Sequence, residues 1–315
     1  ESQGAGALAC ALAQARPSPL RGRTRPTPMG PAGFWAELRS RGAAQPLRSP
    51  ELERLLKGRS VAVDAAIWFH EAQLQPELLR HFGPVGSVLK VTFERCARWL
   101  RRGVLPVVVL EGRGGGRGDR HFAHGRGDLG SAFAAQPQVR ALLAALGIPY
   151  VNAEGEAEAT CAALAVSGRC DFVATTDFDA LLFGAPRVLR ALDLRADGHS
   201  ACELWEASKL KEVAGLDRSA LVCAAFLAGS DYDRRGAAPS QSASQLRDGS
   251  GLRGVGPRTA LNVAKALSEA NRGDSRSAVA ALLAGSLPDM GIGGVDKATA
   301  SLLRRVAERA AKEPS

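Results

Sequence analysis

Seven acidic residues sit in short motifs, most of which close a hydrophobic run. They are Asp64 in VAVDAA, Glu111 in VVVLEG, Glu156 and Glu158 in AEGEAEA, Asp177 and Asp179 in TTDFDA, and Asp231 in AGSDYD. Gathering so many carboxylates at one place raises their pKa values and destabilises a fold unless positive charge sits between them. Hard divalent cations, Mg²⁺ or Mn²⁺, take carboxylate oxygens and water and supply that charge. Two such ions about 4 Å apart clamp the attacking and leaving oxygens of a phosphoryl displacement. The acids therefore predict a metal-dependent phosphodiesterase.

A lone strand-end Asp serves most often as a helix N-cap or turn residue. Capping explains any one of these positions better than it explains all seven. Asp177 and Asp179 are two apart, and on an extended segment leaving a strand that spacing puts both on one face. Glu156 and Glu158 would diverge by about 200° in mid-helix, at 3.6 residues per turn. They can serve one site only from the first helical turn, where the dipole also favours anions. Further along, GVGP precedes a helical pattern with Pro257 at its N1 position. Glycines before a helix N-terminus let backbone N–H groups approach a phosphate closely, and Arg253, Arg258 and Lys265 lie nearby.

The elements that must position these groups follow from periodicity. GFWAEL reads as a short amphipathic helix and SVAVD (60–64) as a buried strand. Residues 85–102 read as a helix and 104–110 as a strand; 138–147 is a helix stopped by Gly147, and IPYV a strand. A helix carrying the two glutamates runs to Gly168, followed by the strand DFVATT, the short helix DALLFG and the strand RVLRAL. Strands alternating with helices predict an α/β fold, a parallel sheet with helices on both faces. Ligands bind such sheets outside the carboxyl ends of the strands, where Asp64, Glu111 and Asp177 fall.

Composition bounds the partners. The 315 residues carry a net charge of +9, with pI ≈ 9.7. A basic surface around an acidic, metal-loaded pocket suits a polyanionic substrate. The six cysteines form no CxxC; Cys96, Cys161 and Cys223 fall on apolar helical faces and read as reduced core residues of an intracellular protein. No segment reaches the roughly eighteen consecutive apolar residues of a membrane span, so no membrane partner is expected. The five histidines form no HxH or HExxH pattern, and no serine or cysteine sits beside a histidine in any motif. A covalent intermediate is not expected.

The organisation reads as an Ala/Pro/Arg-rich leader or presequence over residues 1–28, an acidic α/β core over 29–232 with a Gly/Arg loop at 112–130, and a Ser/Gly/Arg loop at 233–251. A glycine turn with its helix follows over 252–285, then a C-terminal extension over 286–315. Glycine density across 113–127 disfavours a stable helix there.

VAVDAAIW, VVVLEG, EGEAEATCAAL, TTDFDALLFG and the pairing of AGSDY with GLRGVGPRTAL resemble the flap endonuclease/XPG family of structure-specific nucleases, from Met29 to about Leu267. IWFHEAQ and LGIPYVNAEGEAEATCA resemble most its Holliday-junction resolvase (GEN-type, SEND-like) branch. The resemblance implies a PIN-like sheet followed by a helix–two-turn–helix element. It implies that all seven acids hold two Mg²⁺ ions, with Mn²⁺ able to substitute. It implies that Arg113, Arg117, Gly254, Gly256, Arg258, Thr259 and Lys265 bind DNA, with K⁺ at the helix–two-turn–helix.

The reaction so implied is hydrolysis by metal-activated water, leaving 5′-phosphate and 3′-hydroxyl ends. The substrate is branched double-stranded DNA, four-way junctions and 5′ flaps, cut in DNA repair and recombination. The protein is expected in the nucleus, or in an organelle if residues 1–28 are a transit peptide. It is expected to act as a monomer alone and as a dimer on four-way junctions. Three alternatives stand beside this: a 5′ flap endonuclease without junction resolution, an RNA-directed nuclease of PIN type, and a noncatalytic DNA-binding paralogue. Retention of every acid argues against the last, and the glycine turn with its helix argues against the RNA nuclease.

Overall fold

A computed structural model describes residues 33–112, 134–195, 197, 199–228 and 256–270. Arg113, Arg117, Asp231, Gly254, the leader, the 233–251 loop and the C-terminal extension lie outside the described residues.

Seven strands form one sheet: β1 (Ala44–Arg48), β2 (Ser60–Asp64), β3 (Leu105–Leu110), β4 (Tyr150–Asn152), β5 (Phe172–Ala174), β6 (Arg187–Asp193) and β7 (Ala201–Glu206). Their order is β1-β7-β6-β5-β2-β3-β4. The pairs β2–β3, β2–β5, β3–β4 and β5–β6 are all parallel. The expected parallel α/β architecture is therefore present. Central strands buried on both faces read as unbroken apolar runs rather than alternating ones. In β2 only Ser60 is less than fully buried. Register is explicit: Val63 stands beside Val108 on one side and Ala174 on the other.

Ten helices are described: α1 (Phe34–Ser40), α2 (Glu51–Leu56), α3 (Ala65–Gln73), α4 (Pro76–Arg101), α5 (Gln136–Ala145), α6 (Ala157–Val166), α7 (Asp179–Leu182), α8 (Ala207–Ala214), α9 (Arg218–Ala228) and α10 (Pro257–Ala270). The apolar pattern from 85 onward is the second half of α4, which starts at Pro76 and breaks at Gly83–Pro84. Proline removes the N–H that would continue the ladder, and the chain kinks there. The buried Ser87 hydroxyl donates to the Gly83 carbonyl at 2.7 Å across the break.

The described residues fall in two compact units. The sheet unit takes residues 46–176 and 185–204, and the helical unit takes 28–45, 177–184 and those from 205 onward. The core of the sheet unit includes Val61, Val63, Val108, Leu110, Phe172 and Leu189, and Trp68 meets Trp99 edge to face at 5.7 Å. In the helical unit, Trp35 of α1 contacts both Phe178 and Trp205, at ring separations of 5.0 and 4.7 Å. Cys96, Cys161, Cys170, Cys202 and Cys223 are all buried and none is in a disulfide. Burial pushes the Cys96, Cys202 and Cys223 thiols up to about 12.

Candidate active site

Within the sheet unit, the five parallel strands β2 to β6 end on one rim, and Asp64 and Glu111 lie there. Asp64 is the last residue of β2, level with Val109 of β3. Its Oδ1 accepts from the Ala66 N–H at 2.9 Å, so it also N-caps α3. The carboxylate is only 1% exposed. A solvent-facing cap needs no such burial, and this one costs desolvation that hydrogen bonding alone offsets poorly.

Glu111 follows the last residue of β3. Its Oε2 accepts from the Ala157 N–H, the first residue of α6, at 3.1 Å. The carboxylate thus satisfies one of the orphan donors at the helix start. Next to it, Gly112 donates its N–H to the Gly155 carbonyl at 3.0 Å. A Cβ on Gly112 would lie 2.3 Å from the Ala153 carbonyl oxygen, so no side chain fits. The Glu111–Gly112 pair therefore holds the loop leading into α6.

Glu156 is the N-cap residue of α6 and Glu158 lies in its first turn, the placement their spacing required. Glu158 is buried. One turn on, Cys161 is also buried, and burial raises its thiol well above the ordinary value, with Asp64, Glu158, Cys170 and Glu111 adding to the rise. That buried thiol feels three carboxylates from three elements: the end of β2, the end of β3 and the first turn of α6. Of the residues the sequence placed on one rim, Asp64 and Glu111 lie at neighbouring strand ends of the sheet unit, and Asp177 belongs to the helical unit.

In the helical unit, Asp177 and Asp179 are both buried, at 0% and 2% exposure. They do not lie on an extended segment, as their spacing had suggested. Phe178 is right-handed helical, with φ −72° and ψ −26°, and Asp179 opens α7. Asp177 Oδ1 accepts from the Asp179 N–H at 3.0 Å. This local turn is a common use of Asp, and it competes with extended backbone. Phe178 is seated by Phe34 and Trp35, at ring separations of 5.2 and 5.0 Å. Arg218 Nε donates to the Leu182 carbonyl at 2.7 Å and closes the far end of α7.

In each unit, taken by itself, the acids suit a hard divalent cation, because they offer oxygen and no histidine is among them. Asp64, Glu158, Asp177 and Asp179 are buried, while Lys90, 2.6 Å from Glu94, is the one buried basic side chain among the described residues. Among those residues no three His, Cys, Asp or Glu side chains converge closely enough to ligate one ion as they stand. Magnesium does not require them to, because it keeps several waters and is held by one or two carboxylates.

Gly256 precedes α10, with Pro257 at N1 as expected. Gly256 and Arg258 are exposed and Thr259 is half-buried. Arg258 Nε contacts Glu37 Oε2 of α1 at 3.3 Å. Lys265 turns inward instead, its methylenes lying against Gly215 at the end of α8, where a Cβ would stand 2.9 Å from Lys265 Cε. The sequence reading missed Glu37, Arg41 and Asn262, which join Arg258 in one network. An acid in the first helix gave no signal of its own, because its partner lies 221 positions away.

Comparison with known proteins bears on both units. Residues 147–231 match the XPG I-region. The chain is 30% identical over 224 residues to "Flap endonuclease 1" of Methanosphaerula palustris, covering 60% of this chain and 62% of that protein. It is 33% identical over 227 residues to "Flap endonuclease GEN homolog 1" of Homo sapiens, covering 66% of this chain and 24% of that one. The chain thus spans less than two thirds of these relatives. Among solved structures it is similar to human GEN1 in complex with Holliday junction DNA, with 28% identity and a TM-score of 0.58, over 79% of this chain and 60% of that one. The catalytic core of Rad2 in complex with DNA substrate, at 24% identity and a TM-score of 0.59, covers 91% of this chain and 80% of its own, and shows the shared fold. The resemblance read from the motifs is thus matched in sequence by the XPG I-region over residues 147–231 and in fold by the GEN1 and Rad2 structures to which this chain is similar.

Proposed function

We propose that this chain is a structure-specific endodeoxyribonuclease that hydrolyses phosphodiesters in branched DNA with Mg²⁺. The observation that carries the reading is that Asp64 at the end of β2 and Glu111 just after the end of neighbouring β3 share the strand-end rim, where Glu111 accepts from the Ala157 N–H beside the buried Glu158. Similarity to flap endonuclease and GEN proteins supports the substrate class. Two divalent ions bound by these oxygens would activate a water and stabilise the leaving 3′ oxygen.

Each chain group then has a task. The Ala66 N–H holds Asp64, and the Ala157 N–H holds Glu111, so both carboxylates are oriented before substrate arrives. Preorganised charge of this kind contributes to rate because it needs no rearrangement during the reaction. Glu156, Asp177, Asp179 and Asp231 have the same chemical role on their motif resemblance. Gly256, Arg258 and Thr259 at the start of α10, with Gly254, Arg113 and Arg117, contact the backbone phosphates, and K⁺ sits at the helix–two-turn–helix. Lys265, packed on Gly215, contributes through its ammonium tip alone. Four-way junctions and 5′ flaps are the substrates, Mn²⁺ substitutes for Mg²⁺, and the setting is nuclear DNA repair and recombination, or an organelle if residues 1–28 target one.

The test is direct. A 5′ flap, a splayed arm, a nicked and an intact four-way junction and a single-stranded RNA, each end-labelled, are incubated with the protein in Mg²⁺ or EDTA. Mg²⁺-dependent cuts near the branch of the DNA substrates are expected. Cleavage of RNA alone, or binding without cleavage in every metal, would overturn the reading.

A further inference from the structure

We infer that Glu37 is a positioning residue for the phosphate contact of Arg258. The inference rests on the proposed duplex grip at the start of α10 and adds a group from outside it. Glu37 belongs to α1, whose N-cap Gly33 is left-handed at φ 89°. A Cβ on Gly33 would stand 2.9 Å from Pro257 Cγ, so the starts of α1 and α10 touch closely only because that residue is glycine.

Across this contact runs a chain of polar bonds. Arg41 donates from Nε and Nη2 to Glu37 Oε1, at 3.2 and 3.0 Å. The same Nη2 donates to Asn262 Oδ1 of α10 at 2.8 Å. Glu37 is thereby fixed by a two-pronged bond, and its side chain is 15% exposed. Its other oxygen, Oε2, receives Arg258 Nε at 3.3 Å.

The geometry at Arg258 decides between holding and hiding. A carboxylate that sequesters an arginine engages the two terminal nitrogens as a fork and buries them. Here the contact is to Nε alone and the Arg258 side chain remains 76% exposed. The guanidinium is anchored at its inner edge, with its outer edge in solvent beside the N-terminus of a 14-residue helix. Both arginine donors and a helix start favour a phosphate oxygen. Anchoring removes rotamer freedom that an unrestrained arginine would lose on binding. Glu37 is negative and repels the same phosphate, but Arg41 and Arg258 both pair with it, so one acid and two arginines leave the cluster net positive. Positioning therefore outweighs repulsion.

The experiment is a double-mutant cycle read by binding of the intact chain to a nicked branched duplex in Ca²⁺, across a salt series. Glu37→Gln keeps an oxygen acceptor for Arg41 and loses the charge that holds Arg258. It is expected to weaken binding three- to tenfold and to lower the salt slope by about one, as Arg258→Ala does. In the Arg258→Ala background Glu37→Gln is expected to change nothing further. Circular dichroism and Tm of each variant confirm folding. If Arg258→Ala weakens binding and Glu37→Gln alone does not, or if Glu37→Gln costs the same in both backgrounds, the positioning role is wrong while the grip stands. If Arg258→Ala itself leaves affinity and slope unchanged, the grip and this inference both fail.

Discussion

Asp64 does two jobs with one carboxylate, and they can be separated. Asparagine is as good an N-cap as aspartate, so Asp64→Asn retains the bond from the Ala66 N–H. It also removes a buried charge, whose desolvation is costly in the absence of metal. The variant is expected to keep or raise Tm in EDTA while losing cleavage in Mg²⁺. A lower Tm with intact cleavage would make Asp64 a cap and nothing more. Glu158→Gln and Asp179→Asn are expected to lose cleavage as well, with branched-DNA binding retained, because the proposed grip lies elsewhere. Turnover at the parent rate in either variant would remove that residue from the reaction. Gly112 is a different kind of position. Gly112→Ala drives a methyl into the Ala153 carbonyl, and overpacking of this kind costs roughly 1–3 kcal/mol. Urea unfolding should show that loss, with activity falling further because Glu111 moves with the loop; an unchanged midpoint would mean the loop yields freely.

Between elements, the sheet unit is pinned at both ends of β2. The carboxyl end carries Asp64, and the amino end is clamped to the start of β5. Asp171 Oδ2 accepts from the Ser60 N–H and hydroxyl, each at 2.9 Å, and its own N–H donates to the Ser60 carbonyl at 2.9 Å. This clamp leads into the register that puts Val61 beside Phe172. The Ser60 N–H, joined by the Ser60 hydroxyl and Arg59, holds the Asp171 carboxyl below its ordinary 3.8. A carboxyl lowered in the folded state contributes stability that is complete above its unfolded value and lost as pH falls through the folded one. Asp171→Asn is therefore expected to lower Tm at pH 7 and to lose less than the parent between pH 5 and about pH 2. Parallel Tm profiles for the two proteins would show that Asp171 does not contribute to the acid limb. In the helical unit the corresponding pin is Phe178, held between Phe34 and Trp35 with a buried acid on either side. FWAEL in α1 thus serves α7 as an aromatic seat.

At the scale of the whole molecule, a net charge of +9 surrounds buried carboxylates. On the proposed function, the charge would draw in a polyanion and the acids would hold the metal that cuts it. Two symmetric nicks in a four-way junction require two active sites, whereas a flap requires one. Resolution of a cruciform plasmid is accordingly expected to rise more steeply with protein concentration than flap cleavage does. Equal concentration dependence for the two substrates would argue against paired action on the junction. Flaps cut while junctions stay whole at every concentration, for this chain and for a longer one, would leave a flap endonuclease without resolvase activity.

Much of this was legible in the residues because it rests on local rules. Period and punctuation set β2 at 60–64, the Pro257 start of α10 and the first-turn placement of Glu156 and Glu158. A parallel sheet then required Asp64 and the residue after β3 to share a rim. What local rules could not decide was anything set by distant partners. β1 and β7 went unread because AQPLR and ACELWE mix polar and charged residues into their apolar positions, and their pairing depends on neighbours far along the chain. Asp177 and Asp179 were placed on extended chain, but the Asp177 side chain claims the Asp179 N–H and turns the backbone there into α7. Lys265 read as a phosphate contact, but its methylenes cover a glycine at the end of another helix, where burying them is favourable. Arg258 is held by an acid 221 residues away. The sequence alone determined which acids are candidates for the chemistry and that Asp64 and Glu111 stand at neighbouring strand ends. Tertiary structure decided which side chains hold those residues in place, because an ion pair or an aromatic seat between distant segments exists only once the chain has closed.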